Sequence, residues 1–205
     1  ADDDTYAILG NMRYMLLSYS PDDPVYFGSK YNKYTEQGYM AGGSGYVMSK
    51  EALKRLVVDG IRKNSSCKPS DYGSEDVETG KCLEHAKVVA GDSRDKIGRS
   101  KFLPFRPSDF LFPEEKQPMW FYNMIYYNIT QGRECCSDHA IAFHYTNAQL
   151  MYAMEYLIEH VNVYGTATSY MTDNRGYVYP ITQINSELLL EIAKREAQAE
   201  IGPKN

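Results

Sequence analysis

Three consecutive carboxylates, Asp2-Asp3-Asp4, stand at the start of the chain. Adjacent like charges repel, so a fold that clusters them must relieve the cost with solvent or with a cation. Hard divalent ions such as Mg²⁺ and Mn²⁺ take carboxylate oxygens and bridge phosphates. An Asp-x-Asp cluster is therefore a candidate handle for a nucleotide diphosphate. A solvated acidic turn that caps a first helix is the alternative. No initiator Met precedes the triplet, and the expectation is a piece of a larger protein.

Charge and composition narrow the partners. The formal net charge is −5 with no basic stripe, which argues against nucleic acid. Tyr supplies 19 of the aromatic residues, against seven Phe and one Trp. A flat apolar face with a hydroxyl suits sugar and peptide recognition, and equally a half-buried core. No run approaches the ~18 apolar residues of a membrane span, and no signal peptide is present. The four cysteines are Cys67, Cys82, Cys135 and Cys136, and two sequons begin at Asn64 and Asn128. Together they tilt toward the secretory pathway and oxidised thiols. Zinc is the rival, but no Cys-x₂-Cys pair faces a second one at finger spacing. Of three connectivities the preferred one closes a short loop with Cys67–Cys82 and leaves Cys135–Cys136 as a vicinal bridge. Neighbouring Cα atoms lie about 3.8 Å apart, closer than the usual ~4.4–6.8 Å, so such a bridge would lock an unusual turn.

Along the chain, Ile8, Met12, Met15 and Leu16 are spaced as a helix over residues 5–19, with Asp4 as its cap. Pro21-Asp22-Asp23-Pro24 is a turn and Val25-Tyr26-Phe27 a strand. Gly38 to Gly45 is a loop that permits close backbone approach. Tyr46-Val47-Met48 is a strand entering a helix capped by Ser49, running to about Asp59 with Leu53, Leu56 and Val57 inward. Residues 62–74 are a loop, 75–86 a helix with acids in its first turn, and 98–120 irregular but packed. Tyr126 to Asp138 is a loop, Ile141 to Tyr145 a strand, and Asn147 to His160 an amphipathic helix. A final helix runs from Ser186 to about Ala199. Mixed short strands and helices give an α/β class.

Four features carry candidate chemistry. The acidic triplet could bind a metal–diphosphate. Asp76, at a helix start behind Glu75, could take a proton from an attacking hydroxyl or could simply cap the helix. His144, in Ile-Ala-Phe-His-Tyr, could be a core residue or a Mn²⁺ ligand. Trp120 and Tyr122 lie in an aromatic segment that could stack on a sugar ring or could be core.

In order, the chain contains Asp2-Asp3-Asp4-Thr5-Tyr6, Gly38-Tyr39-Met40-Ala41-Gly42-Gly43-Ser44-Gly45-Tyr46-Val47 and Glu75-Asp76-Val77-Glu78-Thr79-Gly80-Lys81-Cys82. Ala90-Gly91-Asp92-Ser93-Arg94-Asp95 and Cys135-Cys136-Ser137-Asp138 with Phe143-His144-Tyr145 follow. Over about residues 1–165 this resembles the core 1 β1,3-galactosyltransferase group within the fringe-like β1,3-glycosyltransferases. The Ala-Gly-Asp-Ser-Arg-Asp and Cys-Cys-Ser-Asp segments are specific to that group. Asp-x-Asp and Glu-Asp-Val are shared more widely.

The resemblance implies a GT-A type α/β domain and an inverting, Mn²⁺-dependent transfer. Galactose would pass from UDP-galactose to the 3-hydroxyl of GalNAc on Ser or Thr of a glycoprotein acceptor. Asp2, Asp4 and His144 would be the metal ligands and Asp76 the base. Trp120, Tyr122, Tyr145, Gly43 and Glu75 would face the acceptor. The resemblance further implies a Golgi type II membrane protein with a lumenal catalytic domain, an anchor upstream of residue 1, and possible homodimers. Another fringe-like β1,3 specificity and a non-catalytic, chaperone-like relative are the alternatives, the latter opposed by the intact Asp2-Asp3-Asp4, Asp76 and His144.

Departures are local. The family's Phe-Trp-Tyr-Trp stands here as Met119-Trp120-Phe121-Tyr122, so Tyr122 takes the place of an acceptor-stacking Trp. Phe-His-Pro-Phe stands as Phe102-Leu103-Pro104-Phe105, and the Glu-His-His after Val-Pro is missing after Pro107. In this fold the half that precedes Asp-x-Asp builds most of the uridine pocket. The expectation is therefore the metal and acceptor side of the domain over 1–165, a tail over 166–205, and a 205-residue piece that by itself is inactive and binds UDP weakly.

Overall fold

The computed structural model describes residues 1–63, 67, 72–112 and 117–161, and the backbone of 170–172 and 178–180. The chain divides into two compact units, Ala1–Tyr152 and Ala153–Asn205.

In the first unit a short strand β1 (Tyr6–Ala7) leads into helix α1 (Leu9–Leu16). Strands β2 (Val25–Gly28), β3 (Lys30–Tyr31), β4 (Tyr39–Met40) and β5 (Tyr46–Met48) follow. Helix α2 (Lys50–Arg55) continues as a wider π-helical turn, Leu56–Ile61. Then come α3 (Glu75–His85), β6 (Val89–Ala90) and β7 (Phe102–Leu103). The unit goes on with α4 (Pro107–Leu111), α5 (Met119–Tyr122) and β8 (Ala142–Phe143), and α6 (Ala148–Glu155) begins in it. The second unit contains an antiparallel pair, β9 (Tyr170–Thr172) with β10 (Val178–Pro180). The result is mixed α/β, as the segment pattern implies. Among the described residues no helix is long and apolar enough to cross a membrane.

Three small sheets organise the first unit. β2 lies between β5, antiparallel, and β6, parallel. β8 lies between β1, antiparallel, and β7, parallel. β3 pairs with β4. One core cluster gathers Tyr26, Met40, Ala52, Leu83 and Val88 between the first sheet and helices α2 and α3. A second gathers Met15, Phe27, Phe102, Ile141 and Ala142 under α1.

Several expectations are corrected. Residues 5–19 are not one helix. Tyr6 and Ala7 pair with Phe143 and Ala142, and the Ile8 N–H reaches the Ile141 carbonyl, so the helix starts only at Leu9. Asp4 therefore caps nothing; its carbonyl is taken by Thr146 instead. Here tertiary pairing outweighs the 3.6-residue apolar spacing. Leu53 is exposed, because Ala52 and Leu56, four residues apart, form the inward stripe. The Gly38–Gly45 loop contains β4, which exists only by pairing with β3. The 98–120 stretch holds β7, α4 and α5 rather than irregular chain. Pro107 opens α4 at its first turn, and the Arg106 N–H donates to the Asp109 carboxylate, which satisfies a free helix-end donor. The Tyr126–Asp138 loop includes a 3₁₀ turn, Gly132–Cys135. The helix expected at 186–199 lies outside the described residues, and so does Asn64.

The Ser49 cap forms as expected, its hydroxyl accepting from the Ala52 N–H at 3.0 Å. Both disulfides form, Cys67–Cys82 and Cys135–Cys136. Gly60 is packed against both sulfurs of the first, where a Cβ would clash. The vicinal pair sits in a turn whose ends are tied to residue 100: the Ser100 N–H donates to the Cys135 carbonyl and the Ser137 N–H to the Ser100 carbonyl. Arg99 braces the same turn, pairing with Asp138 at 2.6 Å and with Asp95 at 2.8 Å.

Burial opposes the charge of Asp95, but hydrogen bonds from the Arg99 N–H and guanidinium, Ser137 and the Ile97 N–H outweigh it and hold the carboxyl down at about 2. An unfolded Asp titrates near 3.9. A carboxyl lowered in the folded state adds stability above its unfolded value and loses it as pH falls through the folded value. Asp95→Asn should therefore make stability less dependent on pH between about 4 and 2. Denaturant titrations across that window would read it, and slopes equal to wild type would remove Asp95 from the acid response.

Candidate active-site cleft

Antiparallel pairing builds the acidic corner of the site. With Tyr6 opposite Phe143, continuing the register sets Thr5 opposite His144. The Thr146 N–H and hydroxyl both donate to the Asp4 carbonyl, at 2.9 and 2.7 Å. The His144 N–H donates to the Leu103 carbonyl at 3.1 Å. These bonds use backbone groups and leave the side chains of Asp2 and Asp4 directed at the imidazole. The His144 Nε2 lies 3.0 Å from Asp4 Oδ1 and 3.5 Å from Asp2 Oδ2. One ligand atom from each of the three residues falls within a 4.8 Å group.

That spacing fits a small divalent ion. Two ligands at right angles on bonds of about 2.1 Å lie about 3 Å apart. Two carboxylates and one imidazole make an O,O,N donor set that a first-row divalent ion can accept. Asp2 and Asp4 are partly exposed while His144 is buried, which leaves the carboxylate side open to further oxygen ligands. Asp3, between them, is exposed and outside the group.

A cleft of about 380 Å³ joins this corner to the helix bearing Asp76. Its walls include Asp76, Gly43, His144, Tyr145 and Trp120, together with Tyr31, Tyr34 and Tyr39. Asp76 lies in the first turn of α3, where the helix N-terminus favours an anion. Its two oxygens accept from the Gly42 N–H at 3.1 Å and the Val77 N–H at 2.8 Å. The carboxylate is thereby oriented while lone pairs remain for a ligand. Burial first, and then the neighbouring Asp76 charge, push the Tyr39 hydroxyl above its ordinary value. Burial does the same for Tyr31. Both phenols stay protonated at neutral pH and offer donors to the cleft.

The aromatic side rests on Phe105, which meets Trp120 and Tyr145 at 5.9 and 5.8 Å between ring centroids. Tyr145 takes a left-handed backbone, φ 55°, and stacks on His144 at 3.9 Å. Trp120 and Tyr145 keep roughly half their surface exposed, as an aromatic face open to a ligand requires.

The sequence candidates thus divide. Asp2, Asp4 and His144 converge, and Asp76, Gly43, Trp120 and Tyr145 line the adjoining cleft. Tyr122 and Glu75 are not on its walls. The Tyr122 hydroxyl accepts from Gln131 at 3.1 Å, because it turns away from Trp120 on the short helix α5. Glu75 bonds to the hydroxyls of Tyr46 and Thr79. Asn128 is exposed and open to a glycan. Sequence reasoning missed Tyr31, Tyr34 and Tyr39, since nothing in a Tyr-rich chain marks which Tyr residues face one cleft.

No family model matches the chain. It is 45% identical over 180 residues to Xenopus laevis glycoprotein-N-acetylgalactosamine 3-beta-galactosyltransferase 1, covering 85% of this chain and 49% of that one. It is 38% identical over 73 residues to a mouse beta-1,3-glucosyltransferase, 34% of this chain and 15% of that one, and 34% identical over 73 residues to the human beta-1,3-glucosyltransferase, with the same coverage. The chain spans about half the length of the Xenopus relative. With that identity carried through most of its residues, the chain is similar in sequence to the T-synthase-like β1,3-glycosyltransferases.

Proposed function

We propose that the protein transfers galactose, with inversion, from UDP-galactose to the 3-hydroxyl of GalNAc α-linked to Ser or Thr. The observation that carries this reading is the single cleft shared by Asp76 and His144, with Trp120 and Tyr145 on its wall. Asp76 accepts the proton of the acceptor hydroxyl as that oxygen bonds to the sugar's anomeric carbon, while the bond from that carbon to the diphosphate oxygen breaks. One base and one displacement suffice for inversion. Trp120 and Tyr145 offer flat faces to the acceptor sugar. Asp2, Asp4 and His144 would hold Mn²⁺, which when bound supplies Lewis-acid stabilisation to the departing diphosphate. A GT-A type domain in the Golgi lumen goes with this reading. Two disulfides and the exposed sequon at Asn128 support an oxidising, glycosylating compartment.

A second reading keeps the reaction and changes the sugar, and the likeness to β1,3-glucosyltransferases favours it. The test incubates the intact protein with Mn²⁺, a GalNAc-α-Thr peptide, and UDP-galactose, UDP-glucose or UDP-GlcNAc in turn. Linkage analysis is expected to find β1,3-galactose with the first donor. Product from another donor would move the assignment to the second reading. No product from any donor, with peptide binding retained, would favour a non-catalytic role.

A further inference from the structure

Gly43 faces the imidazole of His144 so closely that a Cβ at position 43 would overlap Cε1, Nδ1 and Nε2. The backbone does not demand glycine there. The left-handed glycines are Gly38, Gly45, Gly73, Gly98 and Gly132 among the described residues, and Gly43 is not one of them. Glycine is required by the ring. Gly43 is in turn held from the acidic segment. The Thr5 hydroxyl, one residue beyond Asp4, donates to the Gly43 carbonyl at 2.5 Å. One side chain thus ties the glycine loop to the turn before β1 that carries both carboxylates, and Tyr145 stacks on the same imidazole at 3.9 Å.

We infer that Gly43 is a positioning residue for His144, with Thr5 fixing it in place, rather than a contact to the acceptor sugar. The inference rests on the metal-site reading above. Small offsets of a ligating imidazole matter, because groups that orient a ligand typically change metal affinity about 10–100-fold when altered. A Cβ at position 43 pushes Nε2 away from Asp2 and Asp4, and loss of the Thr5 hydroxyl loosens the loop that seats the ring.

The probe is Mn²⁺ alone, titrated into the intact protein and followed by the electron paramagnetic resonance of free Mn²⁺. Gly43→Ala should weaken binding by about tenfold or more. Thr5→Val, which keeps shape and loses the hydroxyl, should weaken it about fivefold, as expected for one lost hydrogen bond. Thr5→Ser should bind as wild type. If Gly43→Ala does not fold, Thr5→Val against Thr5→Ser still decides. Wild-type affinity in Gly43→Ala or in Thr5→Val, or equal losses in Thr5→Val and Thr5→Ser, would overturn the inference. A wild-type protein with no Mn²⁺ affinity would instead sink the metal-site reading, and this inference with it. An Asp4→Ala control separates the two cases by removing binding only if that site is the one titrated.

Discussion

Asp76→Asn should lower turnover by about 10²–10⁴-fold, the usual contribution of a general base, while Mn²⁺ affinity stays at the wild-type value. The amide is nearly the same size. An Asn carbonyl can still accept from the Gly42 or Val77 N–H, so helix α3 and the glycine loop should keep their places. What is lost is the capacity to take a proton. Steady-state rates with the acceptor varied, beside Mn²⁺ titration of the same preparation, make the comparison. Normal turnover in Asp76→Asn would assign the base elsewhere. Parallel loss of metal affinity would mean that the substitution had disturbed the whole cleft.

Phe121→Ala should be the most destabilising single change near the site, at about 3–5 kcal/mol. Phe121 is 1% exposed. It meets Phe105, Tyr31, Phe110, Trp120 and Tyr122 at 5.1–6.3 Å between ring centroids, mostly edge to face. Truncation removes apolar burial and leaves a cavity that aromatic neighbours cannot easily fill. At about 2–4 °C per kcal/mol for a chain of this size, the melting temperature should fall by roughly 6–20 °C. The neighbouring Trp120→Ala is the counter-case. Trp120 is 47% exposed and lines the cleft, so its loss should raise the acceptor KM with a much smaller thermal shift. Calorimetry of both variants checks this, and equal shifts would place Trp120 in the core rather than on the ligand face.

The candidate residues of the site were legible in the chain because they are marked by residue type and order. Asp2, Asp4, Asp76 and His144 stand in segments whose sequence is distinctive. The Ser49 cap and the acid-rich start of α3 likewise follow local rules, and the two disulfides are the preferred one of the three pairings the Cys count allows. The first helix was misplaced for the opposite reason. Its apolar spacing is genuine, but Tyr6 and Ala7 gain more from pairing with residues 142 and 143, more than 130 positions away, than from another helical turn. Tyr122 shows the same limit. An aromatic residue two positions past Trp120 can reach either side of a four-residue helix, and the polar partners Gln117 and Gln131 draw it away from the cleft.

By itself the sequence determined the inventory: two carboxylates flanking a third, an acid at a helix start, a histidine in an apolar run, and four cysteines with one preferred pairing out of three. Only the tertiary structure decided the assembly. It set Asp2 and Asp4 against His144, joined that corner to Asp76 through one cleft, and turned Gly43 from a loop residue into the seat of the imidazole. Each of these decisions is a contact between residues far apart in the chain. Strand register and close packing specify such contacts, and no local pattern of residue types encodes them.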